Sequence, residues 1–366
     1  MVQRTSSWAL AALFALLIAY ASLYPFSGWR LHPQLDPLSY LWLPWPRYWT
    51  GFDLVANLLG YAPLGFLLAL GAMRDRVGRG GVALALLAPA VYSLLIETTQ
   101  NFLPMRVPSN VDLGLNAAGG TMGAFTAMLL ERMGGLQRWS AFRAAWFHPT
   151  ARASLILLAL WPVALLYPTS IPFALGQVAR RIEAGLADML AGTPFLAWLP
   201  AAPVGAQMSQ MTESICVGLG LWVPVCLGYA DIPSVWRRLV FAHVVLALGL
   251  AAVSLSTALS LGPEHAWSWL SPPALLGFAM AWLLSMGALA AGRRLAIVFM
   301  LLALAVTLSL INQAGFSPYL AQSVEVWEQG RFIRFYGLSQ WLGALWPFVA
   351  LVFGVFLLGR PGAPRA

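Results

Sequence analysis

A chain of 366 residues that is 60% hydrophobic and only 9% charged, with a mean hydropathy of +0.75, cannot coat a water-exposed surface, because soluble domains carry about a quarter charged residues. This composition excludes a soluble enzyme and a DNA-binding domain. The net charge of +8, carried entirely by arginine on the basic side, bears on placement relative to a bilayer and not on a nucleic-acid partner.

The expected fold class is all-α, a polytopic membrane helix bundle. A bilayer has no partners for open backbone amides, and the alternating pattern of a membrane barrel is absent. Apolar runs bounded by arginine, proline or glycine predict about ten transmembrane helices, near 8–24, 53–73, 82–103, 111–130, 153–173, 213–230, 239–261, 273–291, 295–313 and 339–358. The first run follows Arg4 and ends near Ala19-Tyr20-Ala21, the outline of a cleavable signal peptide. Its length and the lack of a polar, flexible segment after it favour retention.

Residues 25–52 carry Trp29, Trp42, Trp45, Tyr48 and Trp49 among prolines, and 314–338 carry Tyr319, Trp327, Phe332, Phe335 and Tyr336. Both have the composition of an interfacial aromatic belt. Residues 174–200, with Arg180, Arg181, Glu183 and Asp188 among apolar residues, suit an amphipathic helix on the outer surface. The basic run from Arg132 to Arg152 divides the chain into 1–132 and 133–366. With the N-terminus inside, inner segments hold twice as many arginines as outer ones, which places both termini in the cytoplasm and the protein in the plasma (inner) membrane.

Polar residues inside spans are costly and need a reason. They concentrate in the second, third and fourth spans. Asp53, Asn57 and Tyr61 form one stripe at i, i+4, i+8; Glu97 and Gln100 close the third span; Arg106 follows; Asp112 and Asn116 open the fourth. The alternating direction of the spans brings these ends together at the outer leaflet. Thr50-x-x-Asp53 and Ser109-x-x-Asp112 also have the form of capping boxes, which would make both aspartates helix caps. Caps do not account for Asn57, Asn116 or Glu97, and a buried Glu97 must either meet Arg106 or be protonated. Gly119-x-x-x-Gly123 is a small-residue stripe for close helix packing. Pro63 and Pro89 either open a cavity or are absorbed by packing.

Cys216 and Cys226 are about 15 Å apart along one helix and cannot bond to each other. The four histidines are scattered, so neither a metal nor a cofactor is expected.

At these polar positions the sequence resembles the VanZ-like family of small bacterial membrane proteins. The resemblance rests on Leu23-Tyr24-Pro25, Asp53-x-x-x-Asn57 with Tyr61-x-Pro63-Leu64-Gly65, Glu97-x-x-Gln100, and Arg106 followed by Asp112-x-x-x-Asn116-x-x-Gly119, within about residues 8–132. The family is named for an accessory protein of glycopeptide (teicoplanin) resistance. The resemblance implies a four-helix region with a cell-envelope role and supplies no reaction. Beyond it, Leu165-Leu166-Tyr167-Pro168-Thr169-Ser170 echoes Ser22-Leu23-Tyr24-Pro25-Phe26-Ser27, and Glu213 with Trp222-x-Pro224 echoes Asp53 with Tyr61-x-Pro63. A degenerate tandem copy is one reading of 133–366.

The leading functional expectation is an outward-facing polar pocket that binds a headgroup of a membrane lipid or lipid-linked wall precursor. Arg106 supplies charge, Asn57, Gln100 and Asn116 orient the ligand, and Glu97 and Asp112 tune the site. Three alternatives stand beside it. They are an intramembrane enzyme with Glu97 as general base and Asp112 as acid stabiliser, a transporter, and a scaffold in which the polar cluster only closes a helix bundle.

Overall fold

The computed structural model describes residues 6–24, 26–30, 36–45, 51–104, 106–198, 208–313 and 333–359. Tyr48, Trp49, Thr50, Tyr319, Trp327 and Phe332, and the side chains of Asp53, Arg180, Arg181, Phe335 and Tyr336, lie outside what is described. The chain forms two compact units, Met1–Phe142 and Arg143–Ala366. Among the described residues the secondary structure is all helical.

The first unit contains α1 (Ser6–Leu23), α2 (Gly51–Arg74), α3 (Arg79–Gln100) and α4 (Asn110–Arg132), with a short 3-10 turn at Ser39–Trp42. The reversal between α2 and α3 is tight because Gly78 adopts φ +73, a left-handed backbone that a side chain disfavours. α2 and α4 form the closest helix pair. A Cβ at Gly119 or Gly123 would collide with the carbonyl oxygens of Leu58 and Ala62. Glycine there lets two backbones touch, which replaces the hydrophobic drive that lipid cannot supply. α1 packs on α2 and α3 through Ala11, Ile18, Tyr61 and Leu64. It is tied at one end by Trp8, whose Nε1 donates to Asp75 Oδ2 at 2.7 Å. Leu59, Leu87, Leu95 and Phe125 point outward, as suits helices solvated by acyl chains.

α5 (Gly135–Trp146) runs across the division between the units. The second unit holds α6 (Arg152–Ala164), α7 (Ala179–Leu190), α8 (Gln210–Asp231), α9 (Val235–Leu261), α10 (Pro272–Gly287), α11 (Arg293–Gln313) and α12 (Ile333–Gly359). α8 is its axis. In its most apolar stretch 72% of residues are buried, whereas the other long apolar helices reach 44% at most. α10, α11, α9 and α6 surround it, and α12 packs on α6 and α11. The Trp346 indole of α12 donates to the Leu157 carbonyl of α6 at 2.8 Å. Cys216 and Cys226 are both buried free thiols on α8.

Each of the ten predicted spans overlaps a helix. Among the described residues seven helices are long and apolar enough to cross a membrane. Ser7–Leu23, Arg152–Ala164 and Pro272–Gly287 are apolar but shorter. The fifth departs most from the sequence reading, which extended it to 173. It ends at Ala164, two residues after Pro162, and the following Pro168 and Pro172 hold the chain in turns.

One buried cation organises an end of the second unit. Arg238, on the first turns of α9 and only 7% exposed, donates to the carbonyls of Ile232 (2.7 Å), Tyr229 (2.8 Å), Leu289 (2.9 Å) and Ala291 (2.6 Å). It thereby clamps the end of α8, the α8–α9 corner and the α10–α11 turn.

Candidate functional site

The candidate site lies where α1 and α3 end and α2 and α4 begin. Ser109 caps α4: it is extended at φ −136, and its Oγ accepts the Asp112 amide at 3.3 Å. In a full capping box the acid three residues on reaches back to the cap's own N–H. Here the Ser109 N–H instead donates to Glu97 Oε2 of α3 at 2.9 Å. Asp112 Oδ1 accepts from Asn57 Nδ2 of α2 at 2.8 Å. The start of α4 is therefore bonded to both neighbouring helices.

A second group of bonds joins this layer to α1. Arg106 Nε and Nη2 donate to the Tyr24 carbonyl at 3.2 and 2.7 Å, and Nη2 reaches the Ala21 carbonyl at 3.3 Å. These are carbonyls left open by the end of α1, where a cation is also favoured by the helix dipole. Gln100 Nε2 donates to the Ser22 carbonyl at 3.0 Å. Asn101 Nδ2 reaches the Pro37 carbonyl at 2.8 Å and so fastens the 3-10 segment.

Asn116 sits one turn below Asp112 and is 4% exposed. Its Nδ2 donates to Ser93 Oγ at 2.9 Å, and its Oδ1 has no hydrogen-bond partner among the described residues. Glu97, 3% exposed, and Gln100 are buried as well. The sequence-derived residues Asn57, Glu97, Gln100, Arg106, Asp112 and Asn116 are thus placed at one end of the four-helix unit. Asn57 pairs directly with Asp112. Glu97 is linked to Asp112 through Ser109, Gln100 and Arg106 bind α1, and Asn116 lies deeper. For Asp53 only the backbone position, in the first turn of α2, is described.

Residues 4–131 match the VanZ/LLP1 family. The first unit is VanZ-like. The match covers well under half of the chain and coincides with the helices that carry the polar layer. No curated protein and no solved structure matches the chain. Within the VanZ-like unit, sequence reasoning missed Ser93, Ser109 as the partner of Glu97, and the carbonyls of Ala21, Ser22 and Tyr24. A backbone acceptor has no side-chain signature, so only the fall of the helix ends reveals it.

Chemically, the arrangement offers carboxylates at two positions, a guanidinium and several amides. Among the described residues there is no group of His, Cys, Asp and Glu side chains suited to holding a metal ion. The Asn57–Asp112 bond admits a direct check. A double-mutant cycle with Asn57→Leu and Asp112→Leu, read by thermal unfolding in detergent, is expected to give a coupling of about 1.5 kcal/mol, the value of a hydrogen bond to a charged group. Additive single effects would show that the two side chains act independently.

Proposed function

We propose that the protein is a bacterial cell-envelope membrane protein of VanZ type whose polar layer binds the headgroup of a lipid or lipid-linked wall precursor. It would lie in the plasma membrane with about ten spans and both termini cytoplasmic. The support for that orientation is the arginine excess on the inner segments, and it turns the polar layer toward the outer leaflet. The observation that carries the binding reading is the Asn116 amide, buried beneath a layer of charged side chains with an oxygen that has no partner among the described residues. A buried acceptor left open costs roughly 1–3 kcal/mol, and a ligand hydroxyl or N–H recovers it. The positive charge of Arg106 favours an anionic headgroup in the same region.

The test compares Asn116→Leu and Arg106→Ala with the unaltered protein. Both are expected to lower binding of labelled lipid-linked wall precursor by about tenfold, and to shift glycopeptide susceptibility, at normal abundance. Unchanged binding and susceptibility at normal abundance would defeat the proposal.

A second reading, that the layer is a scaffold closing the helix ends, is favoured by Arg106 and Gln100 donating to open carbonyls of α1. It predicts that Asn116→Leu raises thermal stability, by removing an open polar atom, with no change in binding.

For residues 133–366 we propose a degenerate copy of the four-helix unit followed by further helices. Its support is a shared plan. A serine N-cap opens α4 and α10 alike, and α8 meets α10 through Gly277, whose added Cβ would stand 2.6 Å from the Ser214 carbonyl, as α2 meets α4 through glycine.

A further inference from the structure

The second unit contains a cleft of about 200 Å³ at the end where α6 and α9 finish and α8 and α10 begin. Its polar lining is made of serine and threonine hydroxyls and the Glu213 carboxylate, with the Trp269 ring on one wall. The direction of the hydrogen bonds in that lining decides what it can hold.

Almost every side-chain proton facing the cleft is already committed to the protein. On α9, Ser256 Oγ donates to the Leu166 carbonyl, Thr257 Oγ1 to the Val253 carbonyl and Ser260 Oγ to the Ser256 carbonyl, at 2.8 to 2.9 Å. On the segment after α6, Thr169 Oγ1 donates to the Ile171 carbonyl at 2.8 Å and Ser170 Oγ to Gln177 Oε1 at 2.6 Å. Ser271 Oγ donates to Glu213 Oε1 at 3.3 Å, and the Trp269 indole donates to Ser254 Oγ at 2.9 Å. Ser268, exposed at the rim, is the exception among the lining hydroxyls. A hydroxyl whose proton is spent keeps only lone pairs to offer.

The helix starts add few donors. α10 opens with Pro272 and Pro273, which lack N–H groups, and its first available amide, Ala274, is taken by Ser271 Oγ. Among the described residues no arginine or histidine lines the cleft, so Glu213 sets its charge. The ends of α6 and α9, with negative dipole ends, offset the starts of α8 and α10.

We propose that this cleft is a binding site for an organic ammonium group, recognised by its N–H protons as well as its charge. A lining of acceptors around one carboxylate is complementary to a primary ammonium and is poorly matched to an anion, which would meet Glu213 and lone pairs. The volume is that of about seven waters, enough for an aminoethyl-sized group. Such a group could come from the headgroup of phosphatidylethanolamine or from a free amine. The inference concerns the second unit and stands apart from the headgroup reading of the VanZ-like unit.

The experiment uses the purified full chain in detergent, titrated calorimetrically with ethanolamine and with choline, which keeps the charge but has no N–H. A second arm offers equal phosphatidylethanolamine and phosphatidylcholine and reads retained lipid by native mass spectrometry. Ethanolamine is expected to bind at least about tenfold more tightly than choline, and Glu213→Gln to weaken it by about tenfold, the loss of one charge-assisted hydrogen bond. Glu213→Gln keeps an oxygen for Ser271, and Thr257→Val, a packing-neutral change, is expected to weaken binding by about threefold. Selective retention of phosphatidylethanolamine identifies a lipid source; discrimination of the free amines alone identifies a solute. Equal binding of choline, unchanged binding by Glu213→Gln, or no binding of either amine or lipid overturns the proposal.

Discussion

Replacing Arg238 by methionine is expected to lower the stability of the second unit by about 4 kcal/mol or more, seen as early thermal unfolding in detergent and poor accumulation. The reasoning starts from the backbone. The guanidinium, on a side chain 7% exposed, satisfies the carbonyls of Tyr229, Ile232 and Ala291 in buried bonds and that of Leu289 in a half-buried one. Each buried carbonyl left open costs roughly 1–3 kcal/mol, partly recovered where water can enter. Methionine fills much of the volume and so isolates the loss of donors from the loss of packing. Lysine should recover only part of the loss, because a compact ammonium cannot span two turns as a planar fork does. The guanidinium also lies 5.5 Å over the Tyr229 ring, a contact lysine would keep less well. An Arg238→Met variant that unfolds at the unaltered temperature would show that the clamp is dispensable.

The second large effect is expected from the smallest possible insertion. Gly119→Ala and Gly123→Ala should each destabilise the VanZ-like unit by about 3 kcal/mol, since the clash is with the backbone of α2 and cannot be relieved by turning a side chain. The methyl groups would force α2 and α4 apart and weaken the Asn57–Asp112 bond with them. Gly60→Ala and Gly114→Ala, on the same two helices, form the control. Among the described residues nothing lies within 4 Å of a Cβ at either position, and alanine gains up to about 1 kcal/mol in helix propensity there. Equal tolerance of all four variants by thermal unfolding would refute the close approach.

The membrane character and the place of the apolar helices were legible because lipid imposes length and apolarity directly on sequence, whereas α5, in the basic run between the units, was not. The Ser109 cap and the spacing of Asn57, Glu97 and Asp112 could likewise be read, since local rules fix which residues share a helix face. The partners could not. Ser109 has the form of a capping box, yet its amide serves Glu97, and that choice depends on how α3 ends beside α4. The arginines show the same limit from another side. Arg106 and Arg238 count equally with exposed arginines when orientation is read from charge, although both spend protons on backbone carbonyls. The early end of α6 was hidden as well, because proline restricts a helix without announcing which of several prolines will stop it.

The enclosure of α8 bears on biogenesis. Alone in lipid, before its neighbours are made, α8 exposes to acyl chains the surface that the fold later buries, and it carries Glu213, Ser214 and Asp231 with it. Its neighbours α10 and α11 both emerge from the ribosome later. The nascent chain must therefore shelter this rod, at the insertion machinery or against α6, until synthesis has passed Gln313. A ribosome stalled before that point would leave a half-wrapped strut exposed to quality-control proteases.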